Sequence, residues 1–241
     1  MKHSAIKSFI HRLALTLLLA GSVISAHAAE AVKVRLLAFS RVGNETEVGI
    51  VDADGKPLAK KPVALPTQQL SESTEIASRA LVFTAPDDAK KILGKVTLPA
   101  SGAEFILVFL PASEGTQPPY QIDAVALPSS EFHGGDYAFI NYSGSAVGSI
   151  IDGEKLQIPH GKCTIYKAME SGKKPGNRPM VCYRQKDGVW ETTPFYSSRI
   201  IVQEGVRNLV FICLDPRSGA IDFRGIADFV GGGTDFQPQG P

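Results

Sequence analysis

From residue 32 onward the apolar and polar positions follow the patterns of extended chain. VKVRLLAF (32–39), EVGIVDA (47–53), RALVFTA (79–85), GKVTLPA (94–100), EFILVFL (104–110) and YQIDAVAL (120–127) are short apolar runs or two-residue alternations, the marks of β-strands. The later chain continues in kind with DYAFINY (136–142), VGSIID (147–152), KCTIYKAM (162–169), PMVCYRQ (179–185), SRIIVQ (198–203), NLVFICLD (208–215) and AIDFRGI (220–226). Asp54-Gly55, Asp152-Gly153 and Asp187-Gly188 fall between such runs, as hairpin turns do. The DPRSG run at 215–219 reads as a further turn. Residues 68–79 and 86–93 lack a sustained apolar stripe and are expected to be loop or a single turn.

The run LVFLPASEG (107–115) resembles LVFICLDPRSG (209–219) at an offset of 102. Other pairs keep the same order. Leu37-Ala38-Phe39 meets Tyr137-Ala138-Phe139 at 100, and Val48-Gly49 meets Val147-Gly148 at 99. Asp54-Gly55 meets Asp152-Gly153 at 98, Leu81-Val82-Phe83 meets Met180-Val181-Cys182 at 99, and Ile122-Asp123 meets Ile221-Asp222 at 99. Ordered self-similarity of this kind suggests repetition. The expected fold is therefore all-β: two tandem immunoglobulin-like antiparallel β-sandwich domains formed by internal duplication, over 29–128 and 129–230. The boundary is expected in 127–135, LPSSEFHGG. A single larger sandwich or barrel is the structural alternative.

The first 28 residues differ from the rest. Lys2, Lys7 and Arg12 precede an apolar stretch at 13–20, and Ala26-His27-Ala28 forms a small-x-small site, the layout of a cleavable signal peptide. Leu19-Ala20-Gly21 resembles a lipoprotein box, but Ser22 stands where the lipid-accepting cysteine is required. A periplasmic or secreted protein with no stable membrane insertion is expected after cleavage. The Gly/Pro-rich end at 231–241 is expected to be a disordered tail.

Removing the leader takes three of 25 basic residues and none of 24 acidic ones, leaving a net charge of −2. A near-neutral chain without a basic block offers no electrostatic footprint for nucleic acid. Of five histidines only His133 and His160 remain after cleavage. Two histidines exclude a three-histidine zinc site, and both stand in turn-like contexts. Cys163, Cys182 and Cys213 show no metal-ligand spacing. Cys163 and Cys182 flank a possible hairpin loop at 170–178, and a disulfide between them is expected in an oxidising compartment if the register allows. Their alternative is as small buried apolar residues.

No catalytic motif emerges. Gly144-Ser145-Ala146-Val147-Gly148 has the glycine spacing of a nucleophile elbow, with Ala146 at the nucleophile position. Phosphate loops and zinc-protease motifs are missing from the sequence, and no catalytic residue, metal ligand or cofactor is assigned. The strongest binding candidate is VWETTPFY (189–196), which carries the sole tryptophan, Trp190, with Phe195 and Tyr196. Exposed, these aromatics would stack on sugar rings or anchor a protein; otherwise Trp190 fills a core. Asn44-Glu45-Thr46 and Asn141-Tyr142-Ser143 match the N-glycosylation pattern, which is without consequence in a bacterial host.

The stretch 134–228 (DYAFINYSGSAVGSIIDGEKLQIPHGKCTIYKA through LVFICLDPRSGAIDFRGI) resembles exported bacterial β-sandwich proteins with no assigned activity. That resemblance implies an envelope location and brings no catalytic residues. The layout of two sandwiches behind a leader is also that of periplasmic pilus chaperones, which donate an edge strand; 104–113 has suitable character. That family's paired basic anchors are not found in the first half. The sequence thus points to a non-catalytic binding or structural module with an envelope protein or polysaccharide partner. The alternative is a secreted hydrolase of wall polymer or carbohydrate, in which His133 or His160 would meet a carboxylate and a nucleophile.

Overall fold

The computed structural model describes residues 31–170, 173–214 and 218–230. The expected leader (1–28) and tail (231–241), and residues 215–217 of the expected turn, lie outside the described residues. The described residues form one compact unit. It is all-β, with no α-helix among the described residues.

The first half supplies eight strands: β1 (Val32–Ala38), β2 (Glu47–Val51), β3 (Val63–Ala64), β4 (Thr74–Ile76), β5 (Ala80–Thr84), β6 (Ile92–Thr97), β7 (Glu104–Pro111) and β8 (Tyr120–Ala126). They form two sheets, ordered β4-β1-β7-β8 and β3-β2-β5-β6. The second half supplies β9 (Tyr137–Tyr142), β10 (Val147–Ile151), β11 (Glu154–Ile158), β12 (Cys163–Tyr166), β13 (Gly176–Lys186), β14 (Val189–Trp190), β15 (Tyr196–Val202), β16 (Val206–Leu214) and β17 (Ile221–Phe229). Its sheets run β12-β9-β16-β17 and β11-β10-β13, with β14 and β15 both pairing with β13. In each half, one sheet contains a parallel pair, β1 with β7 and β9 with β16.

Three apolar cores separate these sheets. Val34, Leu36, Leu107 and Phe109 fill the first core with Ile50, Leu81 and Phe83 from the facing sheet. Phe139, Val210 and Ile212 fill the second with Val147, Ile151 and Cys182. The third core belongs to both halves: Leu37, Ile106, Val108 and Val125 meet Ala138, Ile140, Leu209, Phe211 and Ile226. The sheets containing the parallel pairs thus pack against each other, as well as each against its own partner sheet. This accounts for the continuous apolar runs in β7 and β16, because a strand covered on both faces has no solvent side on which to place polar residues.

The segment expected to divide two domains is fastened into this seam. Leu127 and Phe132 are buried there, and Ser129 donates its N–H and hydroxyl to the Glu104 carboxylate. The edges of the two sandwiches differ. In the first half, β6 closes over β8, and a Cβ at Gly94 would stand 2.5 Å from Ile122 Cδ1, so any larger residue there would have to displace that side chain. In the second, Phe223 of β17 instead stacks on Tyr196 and Phe195, with ring centroids 4.2 and 5.9 Å apart.

The Asp-Gly pairs divide by backbone geometry. Asp152-Gly153 and Asp187-Gly188 have positive φ at both residues, the condition for a type I′ hairpin turn. They close β10–β11 and β13–β14 respectively. Only Gly55 has positive φ in the third pair, and that loop is closed by the Asp52 carboxylate accepting from the N–H groups of Asp54 and Lys56. Asn141, in one glycosylation pattern, is fully buried. Its amide nitrogen donates to Ser145 and Ile158 carbonyls, and its oxygen accepts from Ser143.

Candidate functional site

The Asp187-Gly188 turn brings β14 back along β13, placing Trp190 opposite Gln185. Tyr183 lies two residues earlier, opposite Gly148 of β10, so Gly148, Tyr183 and Trp190 share the outer face of the sheet. Trp190 lies outside the cores, with 38% of its surface exposed. A Cβ at Gly148 would stand 3.1 Å from indole Cζ3. The missing side chain therefore lets the indole lie close against the sheet. Around it is an open cavity of about 550 Å³, bordered by Ile150, Lys155, Gln157, Tyr183 and Glu191. Glu191 is positioned by Arg184, at 2.8 Å. The combination is an aromatic floor with amide, ammonium and carboxylate groups at its margin.

Phe195 and Tyr196 do not join this surface. Tyr196 pairs with Cys182, three positions from Gln185 along β13 and hence on the opposite face. Both aromatics pack against the second core. Of the three aromatics expected to bind, Trp190 alone borders the cavity. Tyr183 and Gly148 complete the surface but carried no sign of binding in the sequence, because strand register brings them there. Tyr120, which ends the PPY run, is buried in the first core, and its hydroxyl accepts from the Val42 N–H at 2.6 Å.

Neither histidine is hydrogen-bonded to a hydroxyl or thiol among the described residues. His133 is exposed, with Nδ1 3.8 Å from Asp136, whose carboxylate also meets Lys167 at 3.2 Å. His160 accepts from the Gly144 N–H through Nδ1. All three cysteines are free thiols, so the expected Cys163–Cys182 bridge is not formed. Cys182 lies in the second core and Cys163 packs against the third, with a sheet between them. Burial pushes Cys163 up to about 12, and Cys182 and Cys213 to about 11, which leaves the thiolate scarce at neutral pH.

Charged residues also stand at the ends of the shared seam. At one end the Asp228 carboxylate, almost fully buried, accepts from Arg35 Nη1 and Arg207 Nε, both at 2.6 Å. Arg35 Nε also donates to the Ser71 carbonyl, and Arg207 Nη1 to that of Phe132. At the other, the Tyr142 hydroxyl donates to Asp123 at 2.6 Å. Burial and this acceptor raise the phenol well above its ordinary range. Nearby, the Arg224 guanidinium donates to the Phe39 carbonyl and covers that residue's ring; burial lowers its pKa. The arginine–aspartate constellation was missed in sequence. Its available signal was Arg35, a second charge after Lys33 in the strand-like VKVRLLA.

No group of three or more His, Cys, Asp or Glu side chains among the described residues is arranged to hold a metal ion. No helix among them is long and apolar enough to cross a membrane. No known protein-family model matches the chain, and no match is found among curated proteins.

Proposed function

We propose that this chain is an exported cell-envelope protein and a non-catalytic binding module, with the outer-face surface around Trp190 as its contact for polysaccharide. One observation carries the reading: the sole tryptophan lies partly exposed over Gly148 beside an open cavity. The C–H faces of a sugar ring are apolar enough to stack on an indole, while its hydroxyls need polar partners at the ring's edge. Lys155, Gln157 and Glu191 are placed to supply them. The basic head, apolar stretch and Ala26-His27-Ala28 site at the N-terminus support export to the periplasm or beyond.

We also infer that the two halves are copies of one ancestral sandwich. Their common strand order supports this. So does the pairing of Ile50 with Phe83 and of Ser149 with Cys182, two pairs related by an offset of 99 on both strands. The likeness to immunoglobulin domains extends to the two-sheet sandwich and not to strand order. In immunoglobulin constant domains the first, second, fourth and fifth strands share a sheet; here the first, fourth, seventh and eighth do.

The direct test is titration of the mature chain with soluble chitin oligomers, β-glucan oligomers and peptidoglycan fragments, read by tryptophan emission. Saturable change with one of these, abolished in the folded Trp190→Ala variant when binding is read by calorimetry, is the expected result. Wild-type binding to none of them overturns the saccharide assignment. N-terminal sequencing of exported protein tests the leader separately, with Ala29 expected as the first residue.

A further inference from the structure

The end of the seam held by Asp228 borders a second cavity, of about 420 Å³, whose walls come from both halves: Lys33 and Arg35 of β1, Leu127 and Phe132 of the connecting segment, and Arg207 and Phe229 of the last two strands. We propose that this cavity is a binding site for an organic carboxylate, a single carboxyl group on an apolar or aromatic body.

Hydrogen-bonding capacity makes the argument, because the formal charges around the cavity nearly balance. Glu104 and Glu72 also border it. Both Glu104 oxygens accept from Ser129, at 2.8 and 3.0 Å. Both Asp228 oxygens accept from the arginines at 2.6 Å. Each guanidinium carries five N–H donors. Arg35 uses Nε and Nη1, as does Arg207, and neither Nη2 has a hydrogen-bond partner among the described residues. Lys33 adds an exposed ammonium. Donors therefore exceed available acceptors, and a ligand that supplies acceptor oxygens completes the arrangement.

The supports of the two guanidiniums fix them in advance. Arg35 is held between the Ser71 carbonyl and Asp228, and Arg207 between Asp228 and the Phe132 carbonyl. Arg207 also covers the Phe132 ring at 5.1 Å. Holding the groups before the ligand arrives reduces the ordering cost of binding. Leu127, Phe132 and the 53% exposed Phe229 provide an apolar wall, which selects an organic body over an inorganic anion. The free Glu72 carboxylate disfavours a dianionic phosphate.

The test uses three probes with the full mature chain: phenylacetate, its neutral analogue 2-phenylethanol, and inorganic phosphate, each titrated by calorimetry. Saturable phenylacetate binding is expected, with about tenfold or greater weakening for the alcohol and for phosphate. Tryptophan emission should stay unchanged, since Trp190 lies at the other cavity. Arg207→Lys keeps a cation beside Asp228 and removes the second terminal nitrogen, so it should weaken binding about tenfold. Lys33→Ala touches no buried partner, folds independently of the Asp228 network, and should weaken it about threefold. Absence of saturable phenylacetate binding overturns the proposal. So does equal affinity for the alcohol, or wild-type affinity in Lys33→Ala. Each of these three results leaves the saccharide reading untouched.

Discussion

Arg35 of the first half and Asp228 of the second meet at 2.6 Å, although 193 residues separate them. Arg207 holds the other carboxylate oxygen at the same distance. A carboxylate with 4% of its side chain exposed is costly to bury unless it is paired and hydrogen-bonded. Asp228→Ala removes the shared acceptor and leaves two cations facing each other. The expected loss is about 3–5 kcal/mol of unfolding free energy, measured by urea denaturation. Arg35→Met should cost less, because Arg207 still holds the carboxylate. A loss below about 1 kcal/mol for Asp228→Ala would show that the network adds nothing to stability.

The shared core makes a prediction about cooperativity. Phe211 is fully buried in the seam, with its ring stacked on Tyr142 and edge-on to Phe39. Neither half can separate without exposing this core. Heating should give one calorimetric transition whose measured and van't Hoff enthalpies agree. Phe211→Ala should cost about 3–5 kcal/mol while preserving that single transition. Two resolved transitions in the wild type would mean that the seam contributes too little to couple the halves.

The all-β class was legible because alternation and Asp-Gly turns are local signals, and two of those turns formed as the backbone rule requires. The packing of one half on the other was less legible. The continuous runs ILVF and LVFI already implied strands covered on both faces, yet each could also be read as an inner strand of an isolated sandwich. The matching LVF triplets mislead in a specific way. Leu107 and Phe109 face the first core and Val108 the seam, whereas Leu209 and Phe211 face the seam and Val210 the second core. Identical letters therefore occupy opposite faces, and the pairing Leu37–Val108 corresponds to Ala138–Leu209 at an offset of 101. A one-residue slip inverts every side chain, and letter matching cannot detect it. At the candidate surface, Trp190 stood out by type, but Gly148 and Tyr183 join it only through register.

Gly148 offers a probe of that surface that leaves the indole in place. A methyl group there would stand 3.1 Å from Cζ3 and 3.4 Å from Cη2 of Trp190, closer than ordinary carbon contact. Gly148→Ala should tilt the indole away from the sheet and shift its emission to longer wavelength. Stability should change by less than about 1.5 kcal/mol, since the position is on an outer face with an open neighbour. Saccharide binding should weaken, because the platform loses its fixed orientation. Unaltered emission would mean that the indole already samples positions clear of Gly148.

Thiol chemistry supplies the final prediction, with its sign set by burial. The folded pKa values, about 12 for Cys163 and about 11 for Cys182 and Cys213, exceed the ordinary value of 9.0. Below pH 9 both folded and unfolded chains keep their thiol protons, so this contribution to stability is fully present. Between pH 9 and 11–12 the unfolded chain releases protons that the folded chain retains, and stability falls as pH rises through that window. The raised Tyr142 phenol acts in the same direction. Urea midpoints should therefore be insensitive to these groups from pH 7 to 8.5 and decline steadily above pH 9. At pH 7.5 a disulfide-exchange reagent should react slowly with the native protein and consume all three thiols after denaturation. Replacing Cys163 and Cys213 with valine should reduce the alkaline decline. An undiminished decline in that variant would place its origin in the tyrosines instead.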